Sequence, residues 1–273
     1  MSSKHSSNEF PLTANGLPAY RSLTAHRLPL TAYHSLLTAN GLPLTMSLSI
    51  IIPCLNEAET IVGTLQALQP LRRRGGEVIV VDGGSSDGTV TRAGPWADKL
   101  LTAPRRRAAQ MNAGAARASG AILLFLHADC LLPEAADGMI IDGLNRRRKS
   151  WGRFDVRISG KHPLLRAVEM LMNLRSRATG IATGDQGLFV TRSLFEAAGG
   201  FPEIALMEDI ALSKRLRRFG APLCLSHRIT TSGRRWEKHG VLRTVILMWR
   251  LRFAYWLGAD PDKLALRYAA PKQ

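Results

Sequence analysis

Ala121-Ile-Leu-Leu-Phe-Leu-His-Ala-Asp129 decides the fold class of this chain. Ile122 to Leu126 form a short, unbroken apolar run, as expected of a strand buried on both faces of a mostly parallel sheet. The run stops abruptly at His127 and Asp129, and Pro133 follows. In an open α/β sheet, ligands bind just beyond the carboxyl ends of the strands. Asp129 is therefore placed to hold a hard divalent cation against a phosphate. On these residues alone a second role is equally open, with Asp129 capping a helix that begins near Pro133.

The residues upstream repeat the same pattern. Leu48 to Ile52 is a β-rich apolar run closed by Pro53. Asn56 then reads as an N-cap, with Glu57 and Glu59 in the first turn and Ile61, Leu65 and Leu68 at helical spacing. A second strand, Glu77 to Val81, runs into Asp82-Gly-Gly-Ser-Ser-Asp-Gly-Thr89, a loop whose glycines let backbone approach a ligand closely. Asp82 stands at the strand tip, and Asp87 stands where the next helix would be capped. Lys99 to Thr102 is a third strand, and Pro104 opens a basic helix from Arg105 to Gly114. Such alternation predicts an α/β protein with a single Rossmann-like, mostly parallel sheet flanked by helices. No Gly-x-Gly-x-x-Gly follows the first strand and no Gly-Lys-Ser/Thr occurs, which weighs against a dehydrogenase or a P-loop ATPase.

Beyond residue 150 a smaller mixed region is expected. Trp151 to Ile158 reads as a strand with one exposed face. Pro163 to Arg177 reads as a helix whose Leu164, Val168, Leu171 and Leu174 share one face. Thr183-Gly-Asp-Gln-Gly187 is a polar turn before the strand Leu188 to Val190. Met207-Glu-Asp-Ile210 opens a helix with carboxylates at its start and cations at its end, which by itself needs only the helix dipole as explanation. Val241 to Leu257 carries Trp249, Phe253 and Trp256 interrupted by Arg243, Arg250 and Arg252. Packing back on the sheet is the expectation there, with an interfacial helix on an anionic leaflet as the alternative.

Composition is that of an ordinary globular protein, 45% hydrophobic and 21% charged. Cys54, Cys130 and Cys224 show no Cys-x-x-Cys spacing and read as reduced, cytoplasmic thiols. A net charge of +16 calls for an anionic partner. The runs Arg105–Arg107 and Arg146–Lys149 read most simply as solvated helix faces. No run is long and apolar enough to span a bilayer, and the N-terminus lacks a signal-peptide core. Leu-Thr-Ala-Asn-Gly-Leu-Pro occurs at 12–18 and again at 37–43, so 1–45 is expected to be a disordered repeat extension, with translation beginning at Met46. The domain boundaries expected are 46–258 for the folded domain and 259–273 for a C-terminal tail.

Five pieces in this order carry a resemblance: Ser49-Ile-Ile-Ile-Pro-Cys-Leu-Asn-Glu57, Val78-Ile-Val-Val-Asp-Gly-Gly-Ser-Ser-Asp-Gly-Thr89, Phe125-Leu-His-Ala-Asp129, Met207-Glu-Asp209 and Gly233-Arg-Arg-Trp236. Together they resemble a family 2 glycosyltransferase of the GT-A fold, and within it a bacterial subgroup associated with radical-SAM and selenium-related genes. The resemblance implies transfer of a single sugar from a UDP- or GDP-sugar to a hydroxyl acceptor, lipid-linked acceptors included, with inversion and with Mn²⁺ or Mg²⁺. It implies Asp129 and His127 at the metal, where the family usually has Asp-x-Asp; histidine there favours Mn²⁺. Asp209, with Glu208 beside it, matches the family's general base. Pro53, Asn56, Glu57, Asp82, Asp87, Arg107 and Asn112 fall on the nucleotide-sugar side. Arg234, Arg235 and Trp236 resemble the basic-aromatic motif that closes over the diphosphate, with Ser232 where relatives carry glutamine. Gly184, Asp185 and Gln186 fall on the acceptor side. A cytoplasmic enzyme, peripheral at the inner membrane face, is the localisation implied. Two rivals are a nucleotidyltransferase, for which a lysine-containing activating loop is missing, and a basic nucleic-acid binder. The latter lacks any recognised motif or aromatics among its arginines, so no nucleic-acid partner is expected.

Overall fold

The computed structural model describes residues 47–269, so the repeat extension assigned to 1–45 lies outside the described residues. In chain order the elements are β1 (Leu48–Cys54), α1 (Ile61–Ala67), α2 (Gln69–Arg73), β2 (Glu77–Asp82), α3 (Thr89–Ala93), β3 (Lys99–Thr102), α4 (Arg107–Arg117), β4 (Ile122–Phe125), β5 (Cys130–Leu131) and α5 (Ala136–Arg147). There follow β6 (Trp151–Ile158), α6 (Leu164–Thr179), β7 (Leu188–Thr191), α7 (Arg192–Ala197), α8 (Glu208–Leu216), β8 (Leu223–Thr231), α9 (Arg234–His239), α10 (Val241–Trp256) and α11 (Pro261–Ala269). A 3₁₀ turn, Gly184–Gln186, precedes β7.

All eight strands form one sheet in the order β3-β2-β1-β4-β7-β6-β8-β5. The first four are mutually parallel, and β7 is antiparallel to both β4 and β6. The expected mostly parallel sheet and its smaller mixed extension are thus both present. Ile50, Ile51 and Ile52, together with Val78 to Val81, are fully buried. Each such side chain contributes about 1.5–3 kcal/mol, which is why these runs form the centre of the sheet. The order reverses direction at β1, with β2 on one side and β4 on the other, and a crevice opens beyond the carboxyl ends at that switch point. Helix α4 packs tightly on the face of β1 and β2 beside it. A Cβ at Gly114 would stand 2.4 Å from Ile51 Cγ2, so only glycine lets the helix sit this close.

Several local expectations are corrected. Pro53 does not close β1; the strand continues to Cys54. Pairing with β4 has already ended at Ile51–Phe125, so the missing proline N–H interrupts no ladder on that side. Asn56 is no helix cap: it adopts φ 54° and its Oδ1 accepts the Ser86 N–H at 2.9 Å, while α1 begins at Ile61. The basic helix begins at Arg107 and runs to Arg117. Strand β6 is buried on both faces over most of its length, with Arg157 exposed near its end, because α6 covers it; even Arg153 is fully buried, ion-paired to Asp155 and donating to the Asn173 carbonyl at 3.2 Å. On α6 the packed residues are Leu165, Glu169 and Ser176, whereas Leu164, Leu171 and Leu174 face outward. Helix α10 packs through Val241, Thr244 and Leu251, with Tyr255 against the same side, and Trp249, Phe253 and Trp256 stay outside. The segment set apart as a tail forms α11, whose buried Leu264 joins Ile181, Met207, Ile210 and Leu251 in one cluster. Among the described residues no helix is long and apolar enough to cross a membrane.

Candidate active site

Two loops at the switch point are stitched into one wall. The Asn56 N–H donates to Ser85 Oγ at 2.9 Å, the Glu57 N–H to Thr89 Oγ1 at 2.8 Å and the Ala58 N–H to Asp87 Oδ2 at 3.1 Å. Asp87 also accepts the Thr89 N–H at 3.1 Å, so it braces α3 and ties the loops together. Asp82, buried at the tip of β2, accepts from the Gly84 and Ser85 N–H groups at 2.8 and 2.9 Å. Burial opposes its ionisation, but the Ser85 hydroxyl and these backbone donors outweigh that and lower its pKa. Both Asp82 oxygens thus serve their own loop.

The far wall is built from four elements. Asp129 follows β4 and is half-buried; burial raises its pKa, His127 opposes the rise, and Asp185 and Glu57 add to it. His127, Asp129 and Cys130 have potential ligand atoms within 4.8 Å of one another. Cys130 is a poor ligand, since burial, with Asp185 and Asp129 nearby, pushes its thiol pKa well up. His127 Nδ1 lies 3.2 Å from Asp185 Oδ1. The Gly184 N–H donates to Asp209 Oδ2 at 2.9 Å. Asp209 lies in the first turn of α8, two residues after Met207, whose left-handed φ of 71° turns the chain into the helix. Such a backbone at a non-glycine residue costs about 1–3 kcal/mol and is typical of functional sites. Glu208 is buried, with its pKa raised by burial and by Asp209, and Arg107 stands 3.6 Å from it. Arg107, His127, Gly184, Glu208 and Asp209 line one narrow pocket.

From the start of α9, Arg234 reaches Glu57 at 3.2 Å and Asp129 at 3.9 Å, spanning both walls.

A sequence profile of glycosyl transferase family 2 matches residues 49–194, more than half of the chain. The chain belongs to glycosyl transferase family 2. No curated protein matches it. Among solved structures, S. aureus TarS 1-349 in complex with UDP-GlcNAc is similar with a TM-score of 0.58 at 15% identity, covering 68% of this chain and 58% of that one. The mannosyltransferase PcManGT from Pyrobaculum calidifontis, in complex with GDP-Man and Mn²⁺, gives 0.56 at 21% identity, covering 88% of this chain and 77% of that one. Likeness at such identities is one of fold, and the fold is GT-A. The chain spans less than two thirds of the TarS fragments it resembles.

Against this family 2 framework, Asp129, His127, Asp185, Gly184, Asp209, Glu208, Arg107, Glu57 and Arg234 converge on the crevice, Asn56, Asp82 and Asp87 shape its loop wall, and Pro53, Asn112, Gln186, Arg235 and Trp236 are engaged elsewhere. Pro53 is buried in β1 opposite Val81. Asn112 brackets Phe201, donating to its carbonyl at 2.9 Å and accepting its N–H at 3.0 Å, so both ends of the amide are used. Gln186 is fully buried, with Oε1 3.2 Å from the Thr183 N–H, and it braces the turn instead of facing an acceptor. Arg235 lies over the Tyr268 ring at 3.6 Å and donates to the Tyr268 carbonyl at 3.2 Å, turned towards α11. Trp236 packs on Ile158, Leu165 and Val241. Helical spacing explains this splitting, since successive residues on α9 point in different directions.

Sequence reading also passed over Arg175. Its Nε and Nη2 are buried without a hydrogen-bond partner among the described residues. Burial, then the charge of Arg252, lower its pKa to about 10, and Asp209 works in the opposite direction. An arginine within an amphipathic helix gives no signal that distinguishes such a position from a solvated one.

Proposed function

We propose that this protein transfers a single sugar from a nucleotide-diphosphate sugar to a hydroxyl acceptor, with inversion at the sugar carbon. One arrangement carries the reading: a row of polar groups along the crevice runs Asp129, His127, Asp185, the Gly184 N–H and Asp209, with Arg234 bridging to the opposite wall. The donor's nucleoside would lie along the stitched loops, which Asp82 and Asp87 shape from within. Arg234 would meet the diphosphate with a planar fork suited to phosphate oxygens.

Asp129 and His127, a carboxylate and an imidazole close together, fit a divalent cation, with the oxygen and nitrogen donors that Mn²⁺ accepts. Such a cation, when bound, neutralises charge on the departing diphosphate. Asp209 would take the proton of the acceptor hydroxyl, held in position by the Gly184 N–H. Asp185 faces His127 and Glu208 faces Arg107, which leaves Asp209 as the base and favours direct displacement. Arg107 beside Glu208 offsets negative charge at the base and keeps Glu208 from competing with it.

Titration of UDP and GDP, each with and without Mn²⁺, tests the reading. Binding of one diphosphonucleoside that tightens with Mn²⁺, and loses that response in Asp129→Ala, is expected. Salt-sensitive binding of DNA or RNA, with no response to either nucleotide, would overturn it.

A further inference from the structure

Helix α10 presents a stripe that the catalytic reading does not use. Leu242, Ile246, Trp249, Phe253 and Trp256 recur at spacings of four, three, four and three residues and are 58–71% exposed. That spacing places them on one face of the helix. Thr244 and Leu251 on the opposite face are buried, so the helix is docked in one fixed orientation and the stripe points outward. Phe253 and Trp256 stack at 6.0 Å between ring centroids. Helix α6, which meets α10 through the cluster of Leu165, Val168 and Val241, also exposes Met170, Leu171 and Leu174, and α11 exposes Leu266. An apolar surface on this scale is not expected of a protein that stays free in water.

Charge identifies the occupant. Arg243 and Arg250 flank the stripe, and α10 contains no acidic residue. Between α10 and α11 runs a groove of about 570 Å³, with Leu247, Leu251, Phe253 and Leu264 along its walls and Arg250 and Arg267 among its lining. A second copy of this chain docked through the stripe would bring these cations against their own counterparts, with no carboxylate on the helix to answer them. Phosphate headgroups would neutralise them, while tryptophan and phenylalanine settle at the boundary between headgroups and acyl chains. With 16 residues the helix is about 24 Å long, shorter than the roughly 30 Å hydrocarbon layer, so it suits lying in the interface and not crossing it.

We propose that the α10 stripe, with its flanking arginines and the α10–α11 groove, docks this protein on an anionic lipid bilayer. The inference does not depend on glycosyl transfer, because docking needs neither donor nor acceptor.

Flotation of the full chain with vesicles tests it, using phosphatidylglycerol mixed equally with phosphatidylcholine and, separately, phosphatidylcholine alone. Expected is binding to the anionic vesicles that weakens with salt, and little binding to the neutral ones. Trp249→Glu with Phe253→Glu should abolish binding. Arg243→Glu with Arg250→Glu should lower partitioning by about ten-fold or more, given about 1 kcal/mol per surface arginine. Thermal unfolding of these variants should match the parent, since the altered side chains already face solvent. Absence of binding to anionic vesicles at low salt would overturn the proposal, as would binding that both double variants retain. A dimer in light scattering that Trp249→Glu with Phe253→Glu dissociates would overturn it in favour of self-association.

Discussion

The backbone N–H of Gly184 donates to Oδ2 of Asp209 at 2.9 Å, and this one bond joins the 3₁₀ turn before β7 to the first turn of α8. It leaves Asp209 oriented and partly exposed in the pocket it shares with His127 and Arg107. Asn at this position can still accept the Gly184 N–H but cannot take a proton. Asp209→Asn should therefore leave the unfolding temperature and UDP or GDP affinity close to the parent values while lowering turnover by about 10²–10⁴-fold. Parallel loss of nucleotide affinity and rate would remove the general-base role.

Gly184 also has no room for a side chain. A Cβ there would stand 2.3 Å from His127 Nε2, so Gly184→Ala must displace the imidazole that contacts Asp185. Overpacking of this kind costs about 1–3 kcal/mol. The expected result is a lower unfolding temperature together with a weakened Mn²⁺ response, read by calorimetry and by metal titration. An unchanged Mn²⁺ response would separate His127 from the metal.

At the opposite end of the sheet, Glu77 sets an acid limit to stability. Burial favours its protonation, but Lys99 Nζ at 2.7 Å, the Ser49 hydroxyl at 2.5 Å and the Ser119 N–H at 2.8 Å outweigh it and lower the pKa to about 2 from 4.5. Because the folded-state value is depressed, the stabilisation is complete above the unfolded value of 4.5 and is lost as pH falls towards 2. Its size is on the order of 2 kcal/mol. Glu77→Gln should flatten that part of the stability curve in denaturant titrations across the range. A curve as steep as the parent's would assign the acid sensitivity to other carboxylates.

Thiol labelling reads the burial of the crevice floor. Burial, and next the Asp82 carboxylate, push the Cys54 thiol up to about 12, and Cys130 is likewise buried and held protonated. Cys224 is partly exposed. Iodoacetamide at neutral pH should modify Cys224 alone in the native protein and all three thiols after unfolding, as mass spectrometry of peptides would show. Native labelling of Cys54 would mean that the loops on either side of it open.

Much of this architecture could be read from local pattern. The runs Leu48 to Ile52, Glu77 to Val81 and Ile122 to Leu126 are apolar without alternation, and such segments have few options other than the centre of a parallel sheet. The positions of Asp129 just past a strand and Asp209 in the first turn of a helix could be read as well, because strand ends and helix starts have local signatures. Sequence could not show where a side chain faces once helices pack. Arg234, Arg235 and Trp236 are adjacent in the chain, yet one reaches Asp129, one lies on Tyr268 and one enters a hydrophobic cluster. Leu171 and Leu174 have the periodicity of core residues and face outward, while Arg153 has the polarity of a surface residue and is fully buried. Periodicity shows that residues share a face, but only the packing of neighbouring elements determines whether that face is covered. In this protein that packing separates the residues of the crevice from those that brace it and leaves the α10 stripe open.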